Sequence, residues 1–164
     1  MGQRTQLVVE IFEKNRFKNG YKRSLASYYN QWGFAKMQIF DVMRLITTYI
    51  NYEGFNFPDY LHKGFRLPES ESFNGIATPE NVMTWINNYC DNNNGGALLR
   101  LLIKDCQIES GKLYLFNDPE SDGSGKVNRQ VSLNEYVNFN PEYFNDDFIN
   151  YFNSFLKFYN IKLM

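Results

Sequence analysis

The chain has 164 residues, a formal net charge of −1, 43% hydrophobic residues and 18% aromatic residues. This composition is too apolar for a disordered protein, and no apolar run approaches the ~18 residues that a membrane span requires. Two cysteines are too few for a disulfide scaffold. The length predicts a single domain over residues 1–164, large enough to bury a real core.

The net charge hides an asymmetry between the two parts of the sequence. Residues 1–66 carry ten Lys and Arg against five Asp and Glu, whereas residues 67–164 carry seven against thirteen. Such a split indicates either a positive functional face or two halves that pack against each other, and within one domain we favour the second interpretation.

The two cysteines, Cys90 and Cys106, belong to no Cys-x-x-Cys pair and to no zinc-binding spacing. We therefore expect two reduced, buried thiols. No phosphate-loop, dinucleotide-binding or nucleophile-elbow motif occurs, so we expect no cofactor, no metal and no catalytic residues. The first residues lack the apolar region of a signal peptide, which predicts a cytoplasmic protein.

The first half of the chain reads as a hairpin followed by a helix. Residues 6–12 are rich in β-branched side chains and predict a strand, Asn19 and Gly20 predict a turn, and residues 25–30 predict the return strand. Apolar residues at helical spacing predict a helix over residues 36–52. Residues 53–77 show no periodicity and predict a long loop.

The second half predicts strands between helices. Thr78-Pro79-Glu80 is a helix start, and Ser132 to Glu135 is a capping box that opens a short helix. The remaining predictions are a helix to residue 89, strands at 97–104, 112–116 and 126–131, and an amphipathic helix at 146–159. The order predicts an α+β fold. An antiparallel sheet, formed by the N-terminal hairpin and a later two- or three-stranded meander, packs against about four helices.

Aromatic and cationic residues near the N-terminus form our candidate ligand-binding site. The free ends of the two hairpin strands are adjacent, and the first turn of the following helix adds an anion-binding terminus. Aromatic faces there stack a base, and cations hold phosphate or carboxylate. The predicted site residues are Arg4, Tyr29, Gln31, Trp32 and Lys36.

Three other clusters have simpler interpretations. His62, the only histidine, lies in the predicted loop without a catalytic signature. Residues 118–123 have the spacing of a calcium loop, but Arg129 stands where the bidentate Glu belongs, so we interpret them as a polar turn. Five cations at the hairpin tip are suited to nucleic-acid phosphates, yet we interpret them as a soluble charged tip: Lys14, Arg16, Lys18, Lys22 and Arg23.

Three short motifs carry a resemblance. Residues 1–5 read Met-Gly-x-Arg-Thr, residues 28–33 read Tyr-x-x-Gln-Trp-Gly, and residues 93–96 read Asn-Asn-Gly-Gly. The chain thereby resembles a group of small uncharacterised proteins in phages and prophages of low-GC bacteria. The resemblance implies an accessory protein of a mobile element, of the kind that acts in counter-defence in the host cytoplasm by inhibiting a nuclease or trapping a nucleotide signal.

Three functions follow as hypotheses. We prefer a non-catalytic binding protein that sequesters a small anionic, nucleotide-like ligand or inhibits a host defence protein. The alternatives are a pure protein–protein inhibitor that uses the acidic, aromatic C-terminal region, including Tyr151 and Phe158, and a small hydrolase or transferase that uses His62 or Glu10. We expect no membrane partner. The many aromatic residues are compatible with a homo-oligomer. A pI near 5.9 argues against nucleic acid as a partner.

Overall fold

A computed structural model of the protein describes residues 5–14, 19–30, 35–49, 64–67, 77–89, 95–117, 127–137 and 146–164. Seven strands lie in these ranges: β1 (Thr5–Lys14), β2 (Lys22–Asn30), β3 (Gly64–Leu67), β4 (Gly96–Lys104), β5 (Gln107–Asn117), β6 (Arg129–Val131) and β7 (Ile161–Leu163). Four helices accompany them: α1 (Ala35–Tyr49), α2 (Pro79–Tyr89), α3 (Leu133–Val137) and α4 (Asp146–Phe158).

One mixed sheet joins all seven strands. Six of them follow the order β3-β2-β1-β4-β5-β6, and β7 pairs with β5 beside β6. The β1–β4 and β5–β7 pairs are parallel, and the others are antiparallel. The predicted α+β class, the N-terminal hairpin and the later meander are confirmed. The parallel β1–β4 pair that fuses hairpin and meander into one sheet was not predicted.

The first face of the sheet carries the larger core. Side chains alternate along a strand, so every second residue of β1 and β4 points to this face. Helices α1, α3 and α4 cover it, and the buried Tyr136 of α3 donates a hydrogen bond to Gln38 of α1. Burial raises the pKa of the Tyr136 hydroxyl. The central strand residues of this core are Leu7, Val9, Ile11, Leu99 and Leu101.

The second face carries a smaller core under α2 alone among the described helices. Trp85 and Ile86 of α2 pack against Val8 of β1 and Leu98 of β4. A side chain at Gly96 would meet Ile86 at 2.7 Å, so the glycine permits the close approach of α2 to the start of β4. This helix therefore covers the end of the second face at which β4 begins.

Two helix starts follow the sequence signals. In α2 the Thr78 hydroxyl accepts a hydrogen bond from the Asn81 amide at 3.3 Å, and Asn81 Oδ1 accepts one from the Thr78 amide at 2.8 Å. In α3 the Ser132 amide donates to Glu135 at 2.8 Å, and the Glu135 amide donates to the Ser132 hydroxyl at 3.3 Å. Both N-terminal caps are confirmed.

The turn between β4 and β5 corrects the prediction for one cysteine. Asp105 and Cys106 have positive φ angles of 49° and 65°, as in the two-residue turns that connect hairpin strands. The tight turn lets β5 begin at Gln107, five residues earlier than predicted. Cys106 is exposed, so the expectation of two buried thiols is wrong for it, and Cys90 lies outside the described residues.

Two strands have no counterpart among the predictions. β3 lies within residues 53–77, where we predicted a loop, and it pairs antiparallel with the end of β2. β7 follows α4 after Asn160, which has a φ of 55°, a conformation that Asn tolerates better than most residues. A side chain at Gly111 would meet Ile161 of β7 at 2.9 Å, so this glycine makes room for β7 beside β5.

Candidate functional site

Among the described elements, α2 covers only part of the second face of the sheet. No described helix packs over the half of this face in which β1 ends and β4 ends. We call this half the open face. Its side chains belong to alternate residues of the central strands, whose neighbours along the chain lie in the larger core.

A buried carboxylate organises the inner edge of the open face. The Glu10 side chain of β1 is fully buried, and its Oε1 accepts a hydrogen bond from Arg100 Nε of β4 at 3.0 Å. Its Oε2 accepts from Arg23 Nε of β2 at 2.8 Å and from the Ala77 amide at 3.0 Å. Because one carboxylate serves two guanidinium groups, the triad has a net charge of +1 and both arginines are fixed against the sheet.

Cations continue from this triad across the neighbouring strands. Arg100 pairs in register with Lys112 of β5, and Lys112 pairs in register with Lys162 of β7. In-register neighbours lie on one face, so the three cations form a row across the sheet. Lys112 and Lys162 are exposed, and the Arg100 side chain is 26% exposed.

Two more lysines lie farther along the same face. Lys14 and Lys104 pair in register at the ends of β1 and β4. The Lys14 ammonium lies 5.6 Å from the centre of the exposed Tyr21 ring, and Lys104 lies 3.8 Å from a carboxylate oxygen of Glu109. At this end of the face two lysines therefore stand beside two described carboxylates, Glu109 and Asp105 of the following turn, so the excess of positive charge on the open face comes from Arg23, Arg100, Lys112 and Lys162.

A shallow groove of about 170 Å³ lies between these groups. Phe12 and Leu102, both partly buried and paired in register, form its apolar floor. Arg100 and Lys112 line the inner side, and Ser110 contributes a hydroxyl. The Arg100 guanidinium lies 5.9 Å from the centre of the Phe12 ring, which holds the cation over an aromatic face. The groove thus offers an anion two cations, a hydroxyl and an apolar surface.

The structure describes one side chain of the site predicted from the sequence. Tyr29 is partly buried in β2 and pairs in register with Gln6 of β1. Gln6 precedes Phe12 of the groove by six residues along β1, so Tyr29 lies roughly 20 Å from the groove. The buried Gln6 amide donates to Ser27 Oγ at 3.1 Å, and among the described residues Gln6 Oε1 finds no hydrogen-bond donor. Arg4, Gln31 and Trp32 and the side chain of Lys36 lie outside the described residues, so this site stays a prediction.

Other candidates fall on the undescribed residues as well. His62, the acidic run 118–123 and the tip residues Arg16 and Lys18 lie outside the described ranges. Within those ranges, no group of three or more His, Cys, Asp or Glu side chains could hold a metal ion. Among the described helices none is long and apolar enough to cross a membrane.

Sequence reasoning missed the groove although a signal was present. Glu10 and Arg100 each interrupt an otherwise apolar strand, in Leu-Val-Val-Glu-Ile and Leu-Leu-Arg-Leu-Leu. A charge in such a run needs a partner, and opposite charges in two strands predict that the strands pair. The cations of the open face come from both halves of the sequence, so the charge split between the halves did not indicate this face.

The chain was also compared with known proteins. No family of proteins, no curated protein and no solved structure matches it.

Proposed function

We propose that the protein is a non-catalytic binding protein that takes a small, phosphate-bearing, nucleotide-like anion in the groove of the open face. The observation that carries this proposal is the in-register pair Arg100 and Lys112 beside the apolar floor of Phe12 and Leu102. Charge-assisted hydrogen bonds from the two cations favour phosphate, and the floor favours the flat face of a base.

The Glu10 triad supports binding because it fixes a cation before the ligand arrives. A long arginine side chain that is already held by Glu10 loses less conformational entropy when it binds an anion. The net positive charge of the triad remains available for attraction. Lys112 has no ion pair among the described residues, so its ammonium group is open to a ligand.

The phage or prophage setting that the sequence motifs imply suggests what such binding is for. An accessory protein of a phage or prophage that binds a nucleotide without turning it over removes that nucleotide from solution. If the nucleotide is a defence signal, this sequestration is counter-defence. The proposal needs no catalytic residue, in agreement with the lack of a catalytic motif in the sequence.

Calorimetric titration with ATP at low salt tests the proposal. We expect measurable binding by the wild type, weakened about three- to fivefold by Lys112→Ala, the size of one exposed charge contact worth ~0.7–1 kcal/mol. Lys157→Ala, which removes an exposed lysine from α4 behind the opposite face, is the matched control and should bind like the wild type. Equal weakening by both variants, or no heat with the wild type, would refute the groove as the site.

A second function is favoured by the surface of α4. Tyr151 is 59% exposed and Phe158 is 79% exposed on a helix whose first turn contains the exposed Asp146 and Asp147. Exposed aromatic side chains are typical of protein contact surfaces, and an acidic surface can occupy a basic groove of a partner. The alternative proposal is therefore an inhibitor of a host defence protein that binds through α4.

A further inference from the structure

The groove is too small to enclose a whole nucleotide. Its volume of about 170 Å³ is below the roughly 300–1,000 Å³ of pockets that bury small-molecule ligands. A phosphate or the edge of a base fills it, and the rest of any nucleotide ligand must lie on the open face. The volume therefore favours a ligand that extends along the surface.

The cations continue beyond the groove in one direction. Adjacent strands are separated by ~4.8 Å, so Arg100, Lys112 and Lys162 span roughly 10 Å across three strands. This span exceeds the separation of the phosphates within one diphosphate and suits phosphates on successive nucleotides. Lys162 projects onto the open face because Ile161, its neighbour in β7, is buried in the larger core.

Two further cations, Lys14 and Lys104, lie on the opposite side of the groove floor from Arg100 and Lys112. Lys14 and Lys104 lie two residues beyond Phe12 and Leu102 along β1 and β4, about 7 Å farther along the strands. An exposed ring, Tyr21, stands beside Lys14. Cations that flank a floor with aromatic side chains form the arrangement by which proteins bind single strands, with the cations on the backbone and the rings under the bases.

Carboxylates cancel only part of the positive charge of the open face, because six described Lys and Arg side chains stand there against three described carboxylates. Glu10 is shared by two arginines, and Glu109 faces Lys104 at 3.8 Å, both side chains being about half exposed. Asp105 lies in the turn beyond Lys104. Asp146 and Asp147 lie in α4 on the other face of the sheet, and nine of the 18 Asp and Glu residues lie outside the described ranges. The overall pI therefore averages over a molecule whose open face is positive.

We infer that the ligand of the open face is a single-stranded nucleic acid, whose successive phosphates contact Arg100, Lys112 and Lys162 and whose bases lie over Phe12 and Tyr21. This inference rests on the proposed function and extends its ligand from a single nucleotide in the groove to a strand of nucleotides, of which one phosphate occupies the groove. DNA and RNA share this chemistry, and the experiment distinguishes them.

The test is fluorescence anisotropy of 5′-labelled oligo(dT) and oligo(rU) of twelve nucleotides, titrated with the full chain at several salt concentrations. Separate titrations use a labelled duplex of twelve base pairs and ATP. We expect one or both single strands to bind more tightly than ATP and the duplex. Lys112→Ala and Lys162→Ala should each weaken binding several-fold and reduce the slope of log K against log salt by roughly 0.7, one phosphate contact on a single strand. Lys157→Ala should leave the slope unchanged.

The outcomes separate the two proposals. Binding of ATP with no binding of either single strand would overturn the nucleic-acid inference and leave the proposed function standing. Absence of binding to ATP and to every strand would overturn both. Single-strand binding with an unchanged salt slope in Lys112→Ala and Lys162→Ala, or binding of the duplex as tightly as the single strands, would overturn the assignment of the ligand to this row of cations. Since both lysines are exposed, circular dichroism should show folded variants.

Discussion

Glu10 is the residue on which the open face depends. Its carboxylate is completely buried and accepts hydrogen bonds from two strands and from the segment that precedes α2. An unpaired buried charge is far more costly than a paired one. The three charged side chains of Glu10, Arg23 and Arg100 therefore stabilise one another, and removal of Glu10 deprives both arginines of this carboxylate and destabilises the sheet.

Replacement of Glu10 by Ala should therefore be severe. The change leaves two partly buried guanidinium groups and the Ala77 amide without their acceptor, and we expect the free energy of unfolding to fall by about 3–5 kcal/mol. Glu13→Ala removes a partly buried carboxylate from the same strand, for which the described residues provide no ion pair, and should cost less than about 1 kcal/mol. Urea unfolding measures both values, and similar losses in the two variants would show that the triad does not support the sheet.

At the scale of elements, α3 shows how a local signal stabilises a short helix. Hydrogen bonds from the Ser132 amide and hydroxyl, and Arg129 nearby, hold the pKa of the Glu135 carboxyl below its ordinary value. A lowered pKa means that the folded state binds its proton less readily than the unfolded state. The contribution of Glu135 to stability is therefore complete above the ordinary range of a glutamate and is lost as the pH falls through the lowered pKa.

This cap predicts a pH dependence. Glu135→Gln should lower the melting temperature at pH 7, because the neutral amide accepts the Ser132 hydrogen bonds more weakly than the carboxylate. The difference between variant and wild type should shrink as the pH is lowered from 7 through the lowered pKa of Glu135, because the wild-type carboxyl then also binds a proton. Thermal melts of both proteins across that range provide the measurement. A difference that stays constant or grows toward acid pH would mean that the charge of Glu135 does not stabilise α3.

The elements also show which parts of the fold were within reach of sequence reasoning. Periodicity and caps predicted the hairpin, α1, α2, α3 and α4, because their signals are local. Strands β3 and β7 have four and three residues, too few for a pattern, and they form because β2 and β5 provide edges for them. The β4–β5 turn uses Asp-Cys where Asn-Gly or Asp-Gly is the usual signal, so the early start of β5 was not predicted.

At the scale of the whole molecule, the parallel β1–β4 pair creates the candidate site. It places Glu10 beside Arg100 and Phe12 beside Leu102, residues separated by about 90 positions in the sequence. Periodicity and turn signals do not specify such long-range pairings, and the one signal that was present, the opposite charges of Glu10 and Arg100 in two apolar strands, was not used to pair them, which explains why the groove was not among the predicted sites. The helices complete the arrangement, since three cover the first face and α2 covers one end of the second.

The central claim is that the groove on the open face binds a phosphate-bearing anion. The most direct measurement is an ¹H–¹⁵N NMR titration of the full chain with ATP at low salt, because it reports each surface separately. We predict that the largest saturable shift changes occur at the backbone amides of Phe12, Arg100, Leu102 and Lys112. Changes confined to α4 or to the residues around Tyr29, or no saturable changes anywhere, would contradict the account.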